Sequence, residues 1–217
     1  MVVGSSPTWP TAPSAPSARR GRGAVLCPGR AVNRVKPGAA DGSVAAVTPV
    51  LRTERLLLDP YTPEDEEAFV ALFQDTRVSR WMGDGPATEA EDRALFGRVF
   101  TKVYAEDLFD VWAVRRDGRL VGHAEIKRTD EVDGHEIIYA LAPEAWGSGL
   151  GTEIAEAIVA YGFTGLGLTE VHATVAEPNT ASLALLTRIG FAHVRDLRED
   201  DGSTTHVLTR HRAPAAA

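Results

Sequence analysis

The sequence predicts a mixed α/β fold: a mostly antiparallel sheet with one parallel βαβ crossover and helices on both faces. Three observations predict it. Two strand-like runs, at 111–114 and 120–126, flank Asp117-Gly118, a strong hairpin signal. A strand from about Glu136 to Ala142 and another at 171–175 enclose a helix with an apolar stripe, and such a connection makes the two strands parallel. Along the rest of the chain, apolar residues alternate between helical and strand spacing. The resulting order is strand, two helices, three strands, helix, strand, helix, two strands.

Order is expected to begin near Val50. Arg55-Leu56-Leu57-Leu58-Asp59 reads as a first strand. Thr62 caps the first helix, with Pro63 at its first position and Asp65 in its first turn. Ala68, Phe69, Leu72 and Phe73 give that helix its buried face. After a Gly/Pro break at 83–86, Thr88 and Glu91 make a capping box for a second helix, with Leu95, Phe96, Val99 and Phe100 as its stripe. A third helix runs from about Gly149 to Phe163, with Ile154, Ala155, Ile158 and Val159 inward, and Gly165-Leu166-Gly167 ends it. The last helix covers Asn179 to about Ile189 and stops at Gly190, before strands at 191–197 and 205–209.

Residues 1–49 read as a disordered basic tail rich in Pro, Ala, Gly and Ser. They carry too few large apolar residues to offset the entropy of ordering them. Residues 50–212 form the folded domain, and 213–217 a disordered end. Charge is divided unevenly. The first 50 residues hold six Arg/Lys against Asp41, a balance of +5, so the total of −7 leaves −12 on the remainder. An acidic body disfavours nonspecific nucleic-acid binding and suits a cationic amine. The single cysteine, Cys27, excludes an intramolecular disulfide and a cysteine-rich zinc site. No apolar run approaches the roughly 20 residues that span a bilayer, and no secretory h-region is visible. A cytoplasmic protein that binds neither membrane nor specific nucleic acid, and uses no metal, is the expectation. Its oligomeric state is read only as monomer or homodimer.

The segment Trp146-Gly147-Ser148-Gly149-Leu150-Gly151-Thr152 carries the chemical signal. A strand that enters glycines and then a helix makes an anion site, because the first helical N–H groups are unpaired and the helix dipole adds partial positive charge. A Walker-type loop would need a lysine that is absent. A dinucleotide fingerprint needs G-x-G-x-x-G directly after the strand. Here the spacing is G-x-G-x-G after Pro143-Glu144-Ala145-Trp146, although Glu177 stands roughly where a ribose-binding acid would. A packing turn between strand and helix is the remaining reading.

Three stretches place the chain among known folds. Leu51-Arg52-Thr53-Glu54-Arg55-Leu56-Leu57-Leu58 with Thr62-Pro63-Glu64-Asp65 is the first. The run from Glu136 to Glu153 is the second. Asn179-Thr180-Ala181-Ser182, ending in Ile189-Gly190-Phe191, is the third. In this order they resemble the GNAT superfamily of acyl-CoA N-acyltransferases, most closely the subgroup that includes the ribosomal-protein-alanine N-acetyltransferases. The resemblance covers about 51–209. The family loop pattern is [RQ]-x-x-G-x-[GA]. Trp146 takes the first position, a departure familiar in that subgroup, with Gly149 and Gly151 in the other two.

The resemblance implies the acyl-CoA N-acyltransferase fold and acetyl-CoA as acyl donor, with a primary amine, small molecule or protein N-terminus, as acceptor. It implies that backbone groups of Ala140, Leu141 and Ala142 pair with the pantetheine arm as an added strand. Trp146, Gly147, Ser148, Gly149, Leu150, Gly151 and Thr152 would cradle the pyrophosphate, and Asn179 would contact the pantetheine or adenosine part. The amine must lose a proton before it attacks the thioester, and backbone N–H groups of a bulged pantetheine strand would stabilise the oxyanion. Glu136 is the first candidate base and Glu125 the second, with His123 a lesser one, while Tyr139 is read as packing or lining the cleft. Many relatives place a tyrosine acid on the last helix. Leu186 stands there in this chain, and Ser182 is the nearby substitute. Trp81 and Met82 are candidates for the acceptor pocket. Two further readings stay open: an acyl-CoA-binding regulatory module without catalysis, and a nucleotide-binding oxidoreductase domain.

Overall fold

The computed structural model describes residues 48–83, 85–129 and 131–214, and the backbone of Val2–Val3. Apart from that pair, the readings for 1–47, including Cys27, lie outside the described residues, as do 215–217.

The elements in chain order are β1 (Val2–Val3), β2 (Leu51–Arg52), β3 (Leu57–Asp59), α1 (Glu66–Gln74), α2 (Thr76–Ser79), α3 (Glu89–Arg98), β4 (Asp110–Arg116), β5 (Arg119–Arg128), β6 (His135–Leu141), α4 (Leu150–Thr164), β7 (Glu170–Ala176), α5 (Thr180–Arg188), β8 (Ala192–Arg198) and β9 (Thr204–His211). Eight strands follow the order β2-β3-β4-β5-β6-β7-β9-β8, and β1 pairs with β6. Every pairing is antiparallel except β6–β7. The mixed sheet predicted from the hairpin and the crossover is therefore present.

Local chemistry explains the elements. At the β4–β5 turn, Asp117 and Gly118 both have positive φ, 51° and 76°, the conformation that a tight two-residue hairpin needs. Thr62 caps the first helical turn, and its N–H donates to Asp65 Oδ2 at 2.8 Å. Arg115 on β4 then donates to both Asp65 oxygens and, at 2.7 Å, to Asp59 on β3, which fixes α1 against this end of the sheet. The Thr88–Glu91 capping box starts α3 as expected. The second helix departs from expectation at its end, where Val99–Tyr104 is π-helical. There a tertiary contact outweighs regular helix geometry. The Tyr104 hydroxyl accepts from the Tyr61 N–H at 2.8 Å and donates to the Val111 carbonyl at 3.0 Å.

Strand alternation divides the core. Ala124 and Ile126 of β5 and Ile137, Tyr139 and Leu141 of β6 join Leu150, Ile154, Ala155 and Ile158 of α4 in one apolar cluster. The opposite face of β5 presents His123, Glu125 and Lys127, and the His123 ring packs edge-on against Phe69 and Phe73 of α1. No helix among the described residues is long and apolar enough to cross a membrane.

Candidate active site

The sheet opens between its two parallel strands. β6 and β7 meet at a single register position, Glu136 opposite His172, and have no further pairing toward their C-terminal ends. Beyond that point each strand leaves backbone N–H and C=O groups facing a gap. The gap accepts an added strand, because Val2 and Val3 pair antiparallel with Ala140 and Tyr139 along its β6 side. A bulge in β6 was expected and is not found: β5 and β6 pair in unbroken register from Gly122–Leu141 to Arg128–His135. The opening comes from divergence of β7 instead.

Glu136 closes the bottom of the gap. It is fully buried, and its Oε1 accepts from the Thr174 N–H at 3.0 Å and from the Thr174 hydroxyl. Its Oε2 accepts from Thr129 Oγ1 at 3.0 Å. The carboxylate thus replaces the backbone acceptor that β7 loses when the strands part. Thr129 also lines an open groove of about 420 Å³ with Arg128, Glu131, Val132, Asp133 and Arg195.

The glycine loop and the start of α5 flank the top of the gap. Gly147 and Gly149 have φ of 74° and 82°, left-handed values that disfavour any side chain. Gly149 is the N-cap of α4, and the first i→i−4 bond of the helix runs from the Glu153 N–H to the Gly149 carbonyl at 3.2 Å. The preceding amides, of Leu150, Gly151 and Thr152, lack intrahelical partners and point along the axis. Three contacts hold the loop in shape. The Trp146 indole N–H donates to the Leu141 carbonyl at 2.7 Å, at the end of β6. Ser148 Oγ donates to the Ala145 carbonyl at 2.9 Å. Arg55 donates to the Ser148 carbonyl at 2.8 Å and ion-pairs with Glu153 in the first turn of α4. Across the gap, Asn179 follows β7 and caps α5, its Oδ1 accepting from the Ser182 N–H at 3.3 Å. Ser182 is buried beside it, and Leu186 is buried one turn further on.

Glu125 lies on the next strand, in a buried network. His123 Nε2 is 2.9 Å from Glu125 Oε1, and the Lys127 ammonium is 2.8 Å from Oε2. The carboxylate can only accept, so Nε2 carries a proton. Tyr61 Oη shares a hydrogen bond with His123 Nδ1 at 2.9 Å. Burial alone would raise the Glu125 pKa, but the Lys127 charge and the His123 hydrogen bond outweigh it and bring it down to about 2. Tyr139 is buried, its hydroxyl has no partner among the described residues, and burial pushes its pKa up. Met82 is buried and Trp81 half-buried, with the Arg80 guanidinium 4.8 Å above the Trp81 ring.

The structure therefore brings Glu136, Ala140, Leu141, the 146–152 loop, Asn179 and Ser182 around one opening, and sets Glu125 on the adjoining strand. Sequence reasoning missed Thr174, Thr129 and Arg55. Thr174 and Arg55 act across fold contacts that no local spacing encodes, 38 residues from Glu136 and 98 from Glu153, whereas Thr129 lies 7 residues from Glu136 across the β5–β6 hairpin. Lys127 was within reach, since 123, 125 and 127 share one strand face.

The profile for the acetyltransferase (GNAT) domain matches residues 55–192. The chain belongs to the GNAT family. An uncharacterized N-acetyltransferase of Bacillus subtilis, YoaA, is 34% identical over 157 residues, covering 70% of this chain and 87% of that protein. A GNAT-family acetyltransferase from Bacillus anthracis shares the fold with a TM-score of 0.65 at 21% identity, covering 75% of this chain and 98% of that one. RimJ of Mycobacterium smegmatis, solved with CoA-disulfide, has a TM-score of 0.63 at 20% identity, over 75% and 86% of the chains. This GNAT chain is thus an acetyl-CoA-dependent N-acetyltransferase. The opening and its left-handed glycines fit such a donor: the strand edge that β1 now covers can offer an extended amide chain hydrogen bonds, and the loop backbone can approach phosphates without a Cβ between.

Proposed function

We propose that the protein moves an acetyl group from acetyl-CoA to a primary amine, of a small molecule or a protein N-terminus, by direct attack on the thioester. The observation that carries this reading is the gap between β6 and β7, which has a loop of left-handed glycines and the N-terminus of α4 at one end and a buried carboxylate at the other. In this reading the amides of Gly147 through Thr152 bind the pyrophosphate, supported by Trp146 and Ser148. The edge along Ala140 and Leu141 pairs with the pantetheine arm where Val2–Val3 now pair, so donor binding displaces β1; Ala142 does not join it, because its N–H donates to the Val121 carbonyl at 2.9 Å and its carbonyl accepts from the Ala145 N–H at 2.9 Å. Asn179 flanks the same arm.

The acceptor enters through the groove lined by Thr129. Its charges are balanced, with Arg128 and Arg195 against Glu131 and Asp133, so the groove does not by itself select a polycation. Glu136 takes the amine proton directly or through an ordered water, and backbone N–H groups of β6 stabilise the oxyanion. Glu125, at a pKa of about 2, is a weak base at neutral pH, and its role is to fix the polar network beside the gap. Ser182 can donate a hydrogen bond to the leaving thiolate.

Thiol release from acetyl-CoA, measured with a panel of amino acids, polyamines and peptides, tests the reading. Turnover with at least one amine is expected. Stabilisation by acetyl-CoA with no thiol release for any amine would favour a non-catalytic acyl-CoA-binding module.

A further inference from the structure

A second cluster of chemically competent side chains lies at the far edge of the sheet, on the β8–β9 hairpin. His193 Nε2 and His206 Nδ1 each lie 2.7 Å from the same oxygen, Oδ1 of Asp196. One donor atom from each of the three residues lies within 4.8 Å of the others. In a regular strand, residues three apart point to opposite faces. Here the β8–β9 register shifts between His193 and Arg195, so His193 stands opposite Leu208 while Asp196 stands opposite His206. Residues 206 and 208 share a face of β9, and directly opposed residues share a face across strands. The bulge therefore turns His193 and Asp196 to the same side, and the extra residue, Val194, is left half-exposed.

We propose that His193, Asp196 and His206 bind one divalent transition-metal ion of the zinc class, stapling β8 to β9. Two imidazoles and a carboxylate are an established donor set for such ions, and a tetrahedral ion with bonds of about 2.1 Å holds its ligands about 3.4 Å apart. The present separations, 2.7 Å from each ring nitrogen to Oδ1 and no more than 4.8 Å among the three donor atoms, bracket that spacing. His193 and Asp196 are exposed, which leaves room for water at the remaining position. β8 is an edge strand with a largely exposed face, so a metal there fixes a hairpin that little packing secures. The site is separate from the acyl-transfer gap and takes no part in the chemistry proposed there.

Calorimetric titration of tag-free, full-length protein with zinc ions tests this. The expected result is one saturable site per chain, weakened at least about ten-fold in each of His193→Gln and His206→Gln. His211→Gln, which alters another surface histidine–carboxylate pair, is expected to bind like the parent. Cobalt(II) is expected to give the visible bands of a low-coordinate nitrogen–oxygen site. If either variant fails to fold, the ring-nitrogen shifts of the parent histidines on zinc addition decide the matter. Absence of saturable binding, parent-like binding in both glutamine variants, or unmoved His193 and His206 shifts would leave only a hydrogen-bonded cluster and overturn the proposal.

Discussion

Glu136→Gln separates the structural from the chemical work of the buried carboxylate. The parent side chain accepts three hydrogen bonds, from the Thr174 N–H, the Thr174 hydroxyl and the Thr129 hydroxyl. Hydrogen bonds to charged groups are worth about 1.5–3 kcal/mol and neutral ones about 0.5–1.5. The amide keeps the shape: its oxygen still accepts from Thr174, and its NH2 can donate to Thr129 Oγ1. A loss of about 1 kcal/mol per bond gives about 3 kcal/mol in total, seen as a lower midpoint in urea. Glu136→Ala leaves the buried Thr174 N–H without its acceptor, which costs about 1–3 kcal/mol more. The amide cannot accept the amine proton, so kcat is expected to fall by about 10²–10⁴-fold in the glutamine variant. The KM for acetyl-CoA should change little, because the donor loop and strand edge are untouched. Thiol release at saturating donor and amine measures kcat, and denaturant melts measure stability. A folded Glu136→Gln enzyme that turns over within about three-fold of the parent would refute Glu136 as the base.

Four further outcomes follow from the same geometry. Gly149→Ala forces a Cβ into a φ of 82°, at a cost of about 1–2 kcal/mol, and should raise the KM for acetyl-CoA more than it lowers kcat. Lys127→Met leaves the Glu125 charge buried and should destabilise the fold by about 3–5 kcal/mol, with much of that recovered in the Lys127→Met/Glu125→Gln double variant. The Glu125 pKa is depressed from 4.5 to about 2, so its contribution to stability is complete above about pH 4.5 and is lost as pH falls toward 2. Acid melts of Glu125→Gln should show a shallower decline over that interval. Val3→Pro removes a backbone donor from β1 and should lower the KM for acetyl-CoA with kcat unchanged, a result that steady-state kinetics can contradict directly.

Much of the molecule is written locally. Asp117-Gly118 specifies the hairpin because few residues tolerate two successive positive φ values. Thr88 and Glu91 specify the start of α3 because the capping pair lies within one turn. Gly147 and Gly149 specify the loop because only glycine adopts its backbone without strain. From these, and from the strand and helix on either side, the sequence by itself determined the sheet class, the crossover and the family. The tertiary structure decided the rest. β6 and β7 part after one pair, and this followed from a strand path, not from a bulge in β6. Glu136 became a buried joint through a threonine 38 residues away. Glu125 gained its low pKa only once burial, Lys127 and His123 acted together. The His193–Asp196–His206 cluster exists because a register shift reverses the alternation that a regular strand would impose. Spacing within one element survives in sequence, whereas contacts between elements depend on how backbones diverge, and no local pattern records that.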